Sequence, residues 1–296
     1  SAIGVALSLA KHMSCENPKA LDSCNKCSTC LQFNNFNYPN LHLSFPFSKS
    51  KSKQQDPSCA EFRSIFTNAL QESIYLTQER WLNVFEADNQ QLTITVGEAK
   101  AISKELSIKG FSSKPRFVLI WQPELLNSTT ANKLLKTLEE PGENIYIFLV
   151  SHKPKSVLGT ILSRCITLTI PPNSDKEADS FLANHELSRQ KVSRVLLNSG
   201  GSLGIVLDSL QNTEDFNLSA MTLVRWLRFL YSKDLKQTLQ WSEEMASKTR
   251  EEIRIFLIFS ITVFRQTTHL NHKSLTVPPF EYDTFDVKKF SPFVKP

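Results

Sequence analysis

Apolar positions along this chain follow two kinds of pattern. From Ile3 to Met13 small and apolar residues recur at helical spacing, which predicts a helix with one buried face. Arg116-Phe117-Val118-Leu119-Ile120-Trp121 is instead a continuous apolar run, and Ile145 to Ser151 is another. Runs without alternation suit strands covered on both faces, as in the centre of a parallel sheet. Between them, Ser128 to Glu140 has helical periodicity, with Asn127 or Ser128 placed to cap it and Pro141 to end it. Lys155 to Leu162 predicts a short helix, and Ile166 to Ile170 a third strand. Upstream, Leu41 to Phe47 and Leu92 to Val96 are strand candidates, while Phe62 to Leu70 and Ala99 to Leu106 read as helices. Strands and helices alternating at this pace predict an α/β unit.

Pro171-Pro172 marks a boundary, and no strand pattern follows it. Residues 173–212 read as small helices punctuated by Ser199-Gly200-Gly201-Ser202-Leu203-Gly204. Asn217 to Gln266 predicts long amphipathic helices packed through Trp226, Phe229, Leu230, Trp241, Ile253 and Leu257. The expected fold class is therefore α/β plus all-α. A length of 296 residues suits two or three domains, and 41% hydrophobic content supplies their cores. A net charge of +5 permits contact with nucleic acid without establishing it. No apolar run reaches membrane-spanning length. The opening residues carry no basic leader and run directly into a helix, as the middle of a domain does, so the natural N-terminus is expected upstream. The C-terminal region is likewise expected to be incomplete. The Lys49 to Pro57 run reads as a solvated loop.

Four of the six cysteines, Cys15, Cys24, Cys27 and Cys30, give C-x8-C-x2-C-x2-C. Thiolates two residues apart wrap one tetrahedral ion, and Asp22-Ser23 and Asn25-Lys26 suit the turns between them. Structural zinc is the expectation, since four sulfurs leave no open position for catalysis. An iron–sulfur cluster is the alternative, although the usual fourth spacing and proline are absent. Such a set points to a reducing, cytoplasmic setting. Cys59 and Cys165 read as ordinary small side chains, and His12 and His42 as packing or surface residues.

The parts of a nucleotide hydrolase are not evident. There is no Gly-Lys-Ser/Thr before the first helix, where a phosphate-binding loop would end. The strand Phe117 to Ile120 exits into Trp121-Gln122-Pro123-Glu124 rather than into acidic residues that hold magnesium. Trp121 cannot ligate the ion, and Glu124 comes too late. Intrinsic ATP hydrolysis, and a bound ATP of its own, are not expected.

One combination is specific. Leu134-Leu135-Lys136-Thr137-Leu138-Glu139-Glu140-Pro141 joined, after one strand, to Ser163-Arg164-Cys165 resembles the delta-prime family of bacterial DNA polymerase III clamp-loader subunits. The cysteine insertion is similar to the zinc module of that family and of gamma/tau, and weaker likenesses lie at Ser199 to Gly204 and Phe290 to Phe293. The resemblance implies a RecA-like AAA+ domain over 1–170 with the zinc module at 15–30, a helical lid over 171–213 and a helical collar over 214–296. It implies a hetero-pentamer with gamma/tau and delta that loads a sliding clamp on primer-template DNA, with no membrane role. Arg164 would reach the ATP of a neighbouring subunit, supported by Ser163 and Cys165. Lys133 and Lys136, one turn apart, are candidates for contact with DNA phosphates, and a solvated face is the plain alternative. Two other readings stay open: a gamma/tau-like ATPase whose phosphate loop has been cut away, and a separate zinc-containing DNA-binding protein.

Overall fold

The computed structural model describes residues 1–86, 90–107, 114–171, 213–272, 281–282 and 285–294, with 173, 177, 181, 202–205 and 207. The chain forms two compact units, Ser1–Pro171 and Pro172–Pro296. Among the described residues no helix is long and apolar enough to cross a membrane.

The first unit opens with helix α1 (Ala2–Ser14), whose Ile3, Leu7 and Ala10 are buried. It stops where Cys15 turns extended, and α2 (Ser28–Asn34) follows the cysteine turns. Strand β1 (Leu41–Ser44) leads through a loop to α3 (Arg63–Glu72), α4 (Gln78–Val84) and α5 (Val96–Ser107). Then come β2 (Arg116–Trp121), α6 (Ser128–Glu139), β3 (Ile145–Val150) and the single turn α7 (Gly159–Leu162). The three strands form one parallel sheet in the order β1-β2-β3.

Strand periodicity divides the side chains of β2 between two cores. Phe117, Leu119 and Trp121 enter one with α1, α3 and α4, while Val118 and Ile120 enter the other with Ile102, Leu134 and Ile161. The first core is dense in rings. Phe45 stacks on Phe66 at 4.1 Å between centroids, Trp81 lies edge-on to both, and its Nε1–H donates to the Pro46 carbonyl at 2.7 Å. Trp121 is fully buried against Phe66. Gly97 is required by a close approach: a Cβ there would lie 2.5 Å from the Pro57 carbonyl oxygen.

Several expectations are corrected. Ile166 to Ile170 is not a strand: it is unpaired among the described residues and leaves Ile166 93% and Leu168 80% exposed. Leu92 to Val96 makes only isolated bridges, Phe47 to Thr93 and Ile94 to Leu126, before α5 begins. Thr95 is the reason, since its Oγ1 accepts from the Glu98 N–H in the manner of an N-cap. The helix expected over Lys155 to Leu162 breaks into a 3-10 turn, Pro154–Ser156, and α7.

In the second unit, α8 (Thr213–Ser232), α9 (Leu235–Ala246) and α10 (Arg250–Asn271) confirm the long amphipathic helices. Trp226 stacks on Trp241 at 5.2 Å, and Leu223, Phe256, Phe259 and Val263 fill the core. Leu230 and Leu257, expected to pack, are exposed instead. Two two-residue strands, β4 (Glu281–Tyr282) and β5 (Phe285–Asp286), pair antiparallel where no strand was expected, and a last short helix covers Val287–Phe290. Most of the lid expected over 171–213, with Ser199, Gly200 and Gly201 of the Ser199 to Gly204 turn, lies outside the described residues.

Candidate functional site

The end of α6 and the loop after α7 meet around Arg164. Asn127 caps α6, its Oδ1 accepting from the Thr130 N–H at 2.8 Å. Leu134 of α6 and Ile161 of α7 are buried in the same core, with Leu138, Leu162 and Cys165 packed on it. That packing fixes the two helix ends and brings Arg164 beside Glu139, 25 residues earlier. The Arg164 Nε–H donates to Glu139 Oε1 at 2.5 Å, and its Nη2 pairs with the same carboxylate. Its Nη1 donates to the Thr160 carbonyl at 2.8 Å and to Ser163 Oγ at 3.3 Å. The Ser163 hydroxyl in turn donates to the Thr160 carbonyl. Arg164 and Ser163 are exposed, whereas Cys165 is half-buried and anchors the loop. Arg164 therefore stands on a turn after a helix, not at the start of a strand.

The sequence hints at a packing or capping role for Glu139 but does not name Arg164 as its partner. The hint is that a glutamate in the last turn of a helix opposes the helix dipole and implies some other partner. Lys133 and Lys136 are both exposed on α6. At the exit of β2, Gln122 turns left-handed (φ 58°) and Glu124 falls in a 3-10 turn, Pro123–Leu125, behind the buried Trp121.

The four cysteines converge. The Sγ atoms of Cys15, Cys24, Cys27 and Cys30 all lie within 4.8 Å of one another. Cys24 and Cys30 are 3.9 Å apart and Cys30 and Cys15 3.6 Å, close to the ~3.8 Å edge of a tetrahedron with Zn–S bonds of ~2.3 Å. Backbone N–H groups aim at the sulfurs: Cys24 at Cys15, Cys27 at Cys24, and Cys30 at Cys27. Such donors favour thiolate, and hydrogen bonds from the Lys26 and Cys27 N–H groups draw the Cys24 thiol down to about 6. Asn25 takes the left-handed conformation (φ 59°) that the tight turn between Cys24 and Cys27 requires. The donor set fits a metal ion held for structure.

A third cluster was not expected. His42 on β1 lies between two carboxylates of α5. Its Nε2 is 2.7 Å from Glu98 Oε1, and its Nδ1 faces Glu105 Oε2. Glu98 is fully buried and also accepts from the Cys59 N–H at 2.7 Å.

A family model described as DNA polymerase III, delta subunit, matches residues 2–174. A protein of Bacillus subtilis named DNA polymerase III subunit delta' is 23% identical over 88% of this chain and 66% of its own length. The Escherichia coli protein of that name is 29% identical over 40% of this chain and 36% of its own length. The chain thus spans less than two thirds of the length of either relative. A DNA polymerase III subunit tau/gamma of Haemophilus influenzae is 26% identical over 40% of this chain and 17% of its own.

Proposed function

The chain belongs to the DNA polymerase III, delta subunit family, and from that premise we propose that it is a noncatalytic, delta-prime-like stator of a replicative clamp loader. In this reading it assembles with gamma/tau and delta subunits in the cytoplasm and helps place a sliding clamp on primed DNA. Its own part in the chemistry is Arg164, presented in trans to ATP held by a neighbouring subunit. A guanidinium suits that task because it is planar, permanently charged, and binds phosphate oxygens through two parallel N–H groups. Charge that builds on the transferred phosphoryl group is stabilised by such an arginine, and the neighbour supplies the rest of the site. Ser163 and Cys165 hold the turn, one by hydrogen bonding and the other by packing.

The observation that carries the reading is an exposed arginine on a turn fixed by buried Ile161, in a chain whose β2 exit is closed by buried Trp121. Buried Trp121 stands where an acidic residue would hold magnesium, and the carboxylate of Glu124 comes later, behind a proline in a 3-10 turn. Zn2+ held by Cys15, Cys24, Cys27 and Cys30 would be structural. The helical second unit offers apolar surface to assembly: Leu235, 77% exposed, and Leu239, 66% exposed, lie one turn apart on α9.

The test is a clamp loader reconstituted with full-length protein carrying Arg164→Ala. Clamp- and DNA-stimulated ATP hydrolysis should fall by about 10³-fold at the site Arg164 serves, with assembly by size exclusion unchanged. An undiminished rate in the intact complex would rule out the trans role.

A further inference from the structure

The contacts of Arg164 point beyond its identity, to how its availability is set. We propose that Glu139 is a restraint on Arg164, holding the guanidinium against its own subunit until a partner's phosphate displaces the carboxylate. This rests on the trans role of Arg164 proposed above.

A guanidinium carries five N–H donors. In this subunit Nε and one side of Nη2 are turned to Glu139, and both hydrogens of Nη1 are taken by Thr160 and Ser163. One Nη2 hydrogen is left over. Two-point binding of a phosphate needs a pair of parallel donors, so the guanidinium cannot take a phosphate in this way without giving up acceptors it now holds. Thr160 and Ser163 belong to the same turn as Arg164 and move with it. Glu139 does not: it sits at the end of α6, a separate element, and it is the only charged acceptor among those contacts. Releasing Arg164 toward a partner is therefore mainly an exchange of the Glu139 carboxylate for phosphate oxygens.

The exchange is balanced to be reversible. The side chains are 32% exposed at Arg164 and 47% at Glu139, so solvent screens the pair. A screened pair of this kind biases an equilibrium by no more than about fivefold. A single carboxylate then loses to a triphosphate with its metal-bound, multiply charged oxygens, yet it is strong enough to keep most Arg164 side chains docked when the partner site is open. The consequence is lower activity of the unstimulated complex, not of the fully engaged one, because only the docked state is stabilised by Glu139.

Glu139→Gln keeps the shape of the side chain and removes its charge. In the reconstituted complex with full-length protein, ATP hydrolysis without clamp or DNA should rise about two- to fivefold, the range such a pair can exert. The clamp- and DNA-stimulated rate should change less, so the ratio of the two falls. Glu139→Asp, which keeps the charge, should stay near the wild-type ratio. In an Arg164→Ala background, Glu139→Gln should have no effect, since there is nothing left to restrain. Three results would overturn the proposal: an unstimulated rate that stays level or drops in Glu139→Gln while Arg164→Ala is impaired, a rise that persists in the Arg164→Ala background, or an Arg164→Ala complex with full activity. The last alone would also remove the trans role itself, so the two failures are told apart.

Discussion

A neutral imidazole has one N–H and one bare nitrogen, so it cannot donate to two carboxylates at once. His42 has a carboxylate on each nitrogen, Glu98 on one side and Glu105 on the other. A proton on each nitrogen satisfies both contacts, so the arrangement favours the imidazolium. Burial opposes that charge, but the hydrogen bonds to Glu105 and Glu98, with their charges, outweigh it and raise His42 to about 9. The same hydrogen bond, with the charge of His42 and of Arg116 and Arg63 nearby, draws Glu105 below its ordinary value. The two shifts act at opposite ends of the pH scale. A raised histidine stabilises the fold fully below about 6.5, its unfolded value, and that contribution disappears as pH climbs through about 9. A depressed glutamate stabilises above about 4.5 and loses its contribution as pH falls through its lower folded value. Replacing His42 by Gln leaves Glu98 buried without a counter-charge, a loss of roughly 3 kcal/mol at pH 6. Urea denaturation at stepped pH should show that loss, and the variant should lack the wild-type decline between pH 6.5 and 9. A decline of equal size in both proteins would mean that another group titrates there. Nothing in the sequence around His42 announced this cluster, because its partners lie 56 and 63 residues away and meet it only once α5 packs beside β1.

At the scale of elements, the cysteine module shows how a short sequence signal can specify local geometry. The spacing picked out four cysteines whose sulfurs converge, and the turns between them provide the backbone N–H groups that face the sulfurs. Cys27 also caps α2, since its Sγ accepts from the Cys30 N–H. Metal binding should therefore order the end of α1, the turns and the start of α2 together. Elemental analysis of purified protein should find about one zinc per chain, with no visible absorption from iron. Chelation should lower Tm by about 5 °C or more and speed hydrogen exchange over 15–30. The sheet should hold, because Cys15, Cys24 and Cys27 are not part of the core beneath β2. Unchanged Tm and exchange after complete metal removal would leave the four sulfurs without a structural role. The central strand β2 and the helix α6 were equally legible, since each is strongly patterned and bounded by Pro or Asn; β3 was legible as a strand but not in its burial, because it stands at the edge of the sheet among the described residues, half-buried and with Tyr146 exposed, rather than covered on both faces. Ile166 to Ile170 has the same apolar, β-branched character as β3 but not the same fate. A strand is defined by a neighbour that takes its hydrogen bonds, and composition does not reveal whether one is present. Leu92 to Val96 failed for a different reason: Thr95 and Glu98 spell a helix start, and that capping signal prevailed over the β-branched run around it.

For the whole molecule, charge says little until it is placed. A net +5 spread over 296 residues does not by itself make a nucleic-acid binder. What matters is where cations stand relative to Arg164 and the helix beside it. α6 bears on both: Glu139 at its end pairs with Arg164, and Lys133 and Lys136 lie exposed one turn apart along the same helix. If that face lines the path of DNA in the assembled loader, each lysine adds one phosphate contact and no base recognition. Binding of primed DNA by the reconstituted complex should then weaken in a Lys133→Ala, Lys136→Ala double variant to a similar degree for unrelated sequences. The slope of log affinity against log salt should become shallower by about 2, because each lost phosphate contact removes roughly 0.9 of a released counterion. Arg164→Ala, by contrast, should alter ATP hydrolysis and leave that slope unchanged. A double lysine variant with wild-type affinity and slope would show that this face of α6 is solvated in the complex. The helix would then serve through its buried Leu134 and its terminal carboxylate alone, as the element that carries the core of the first unit out to Arg164.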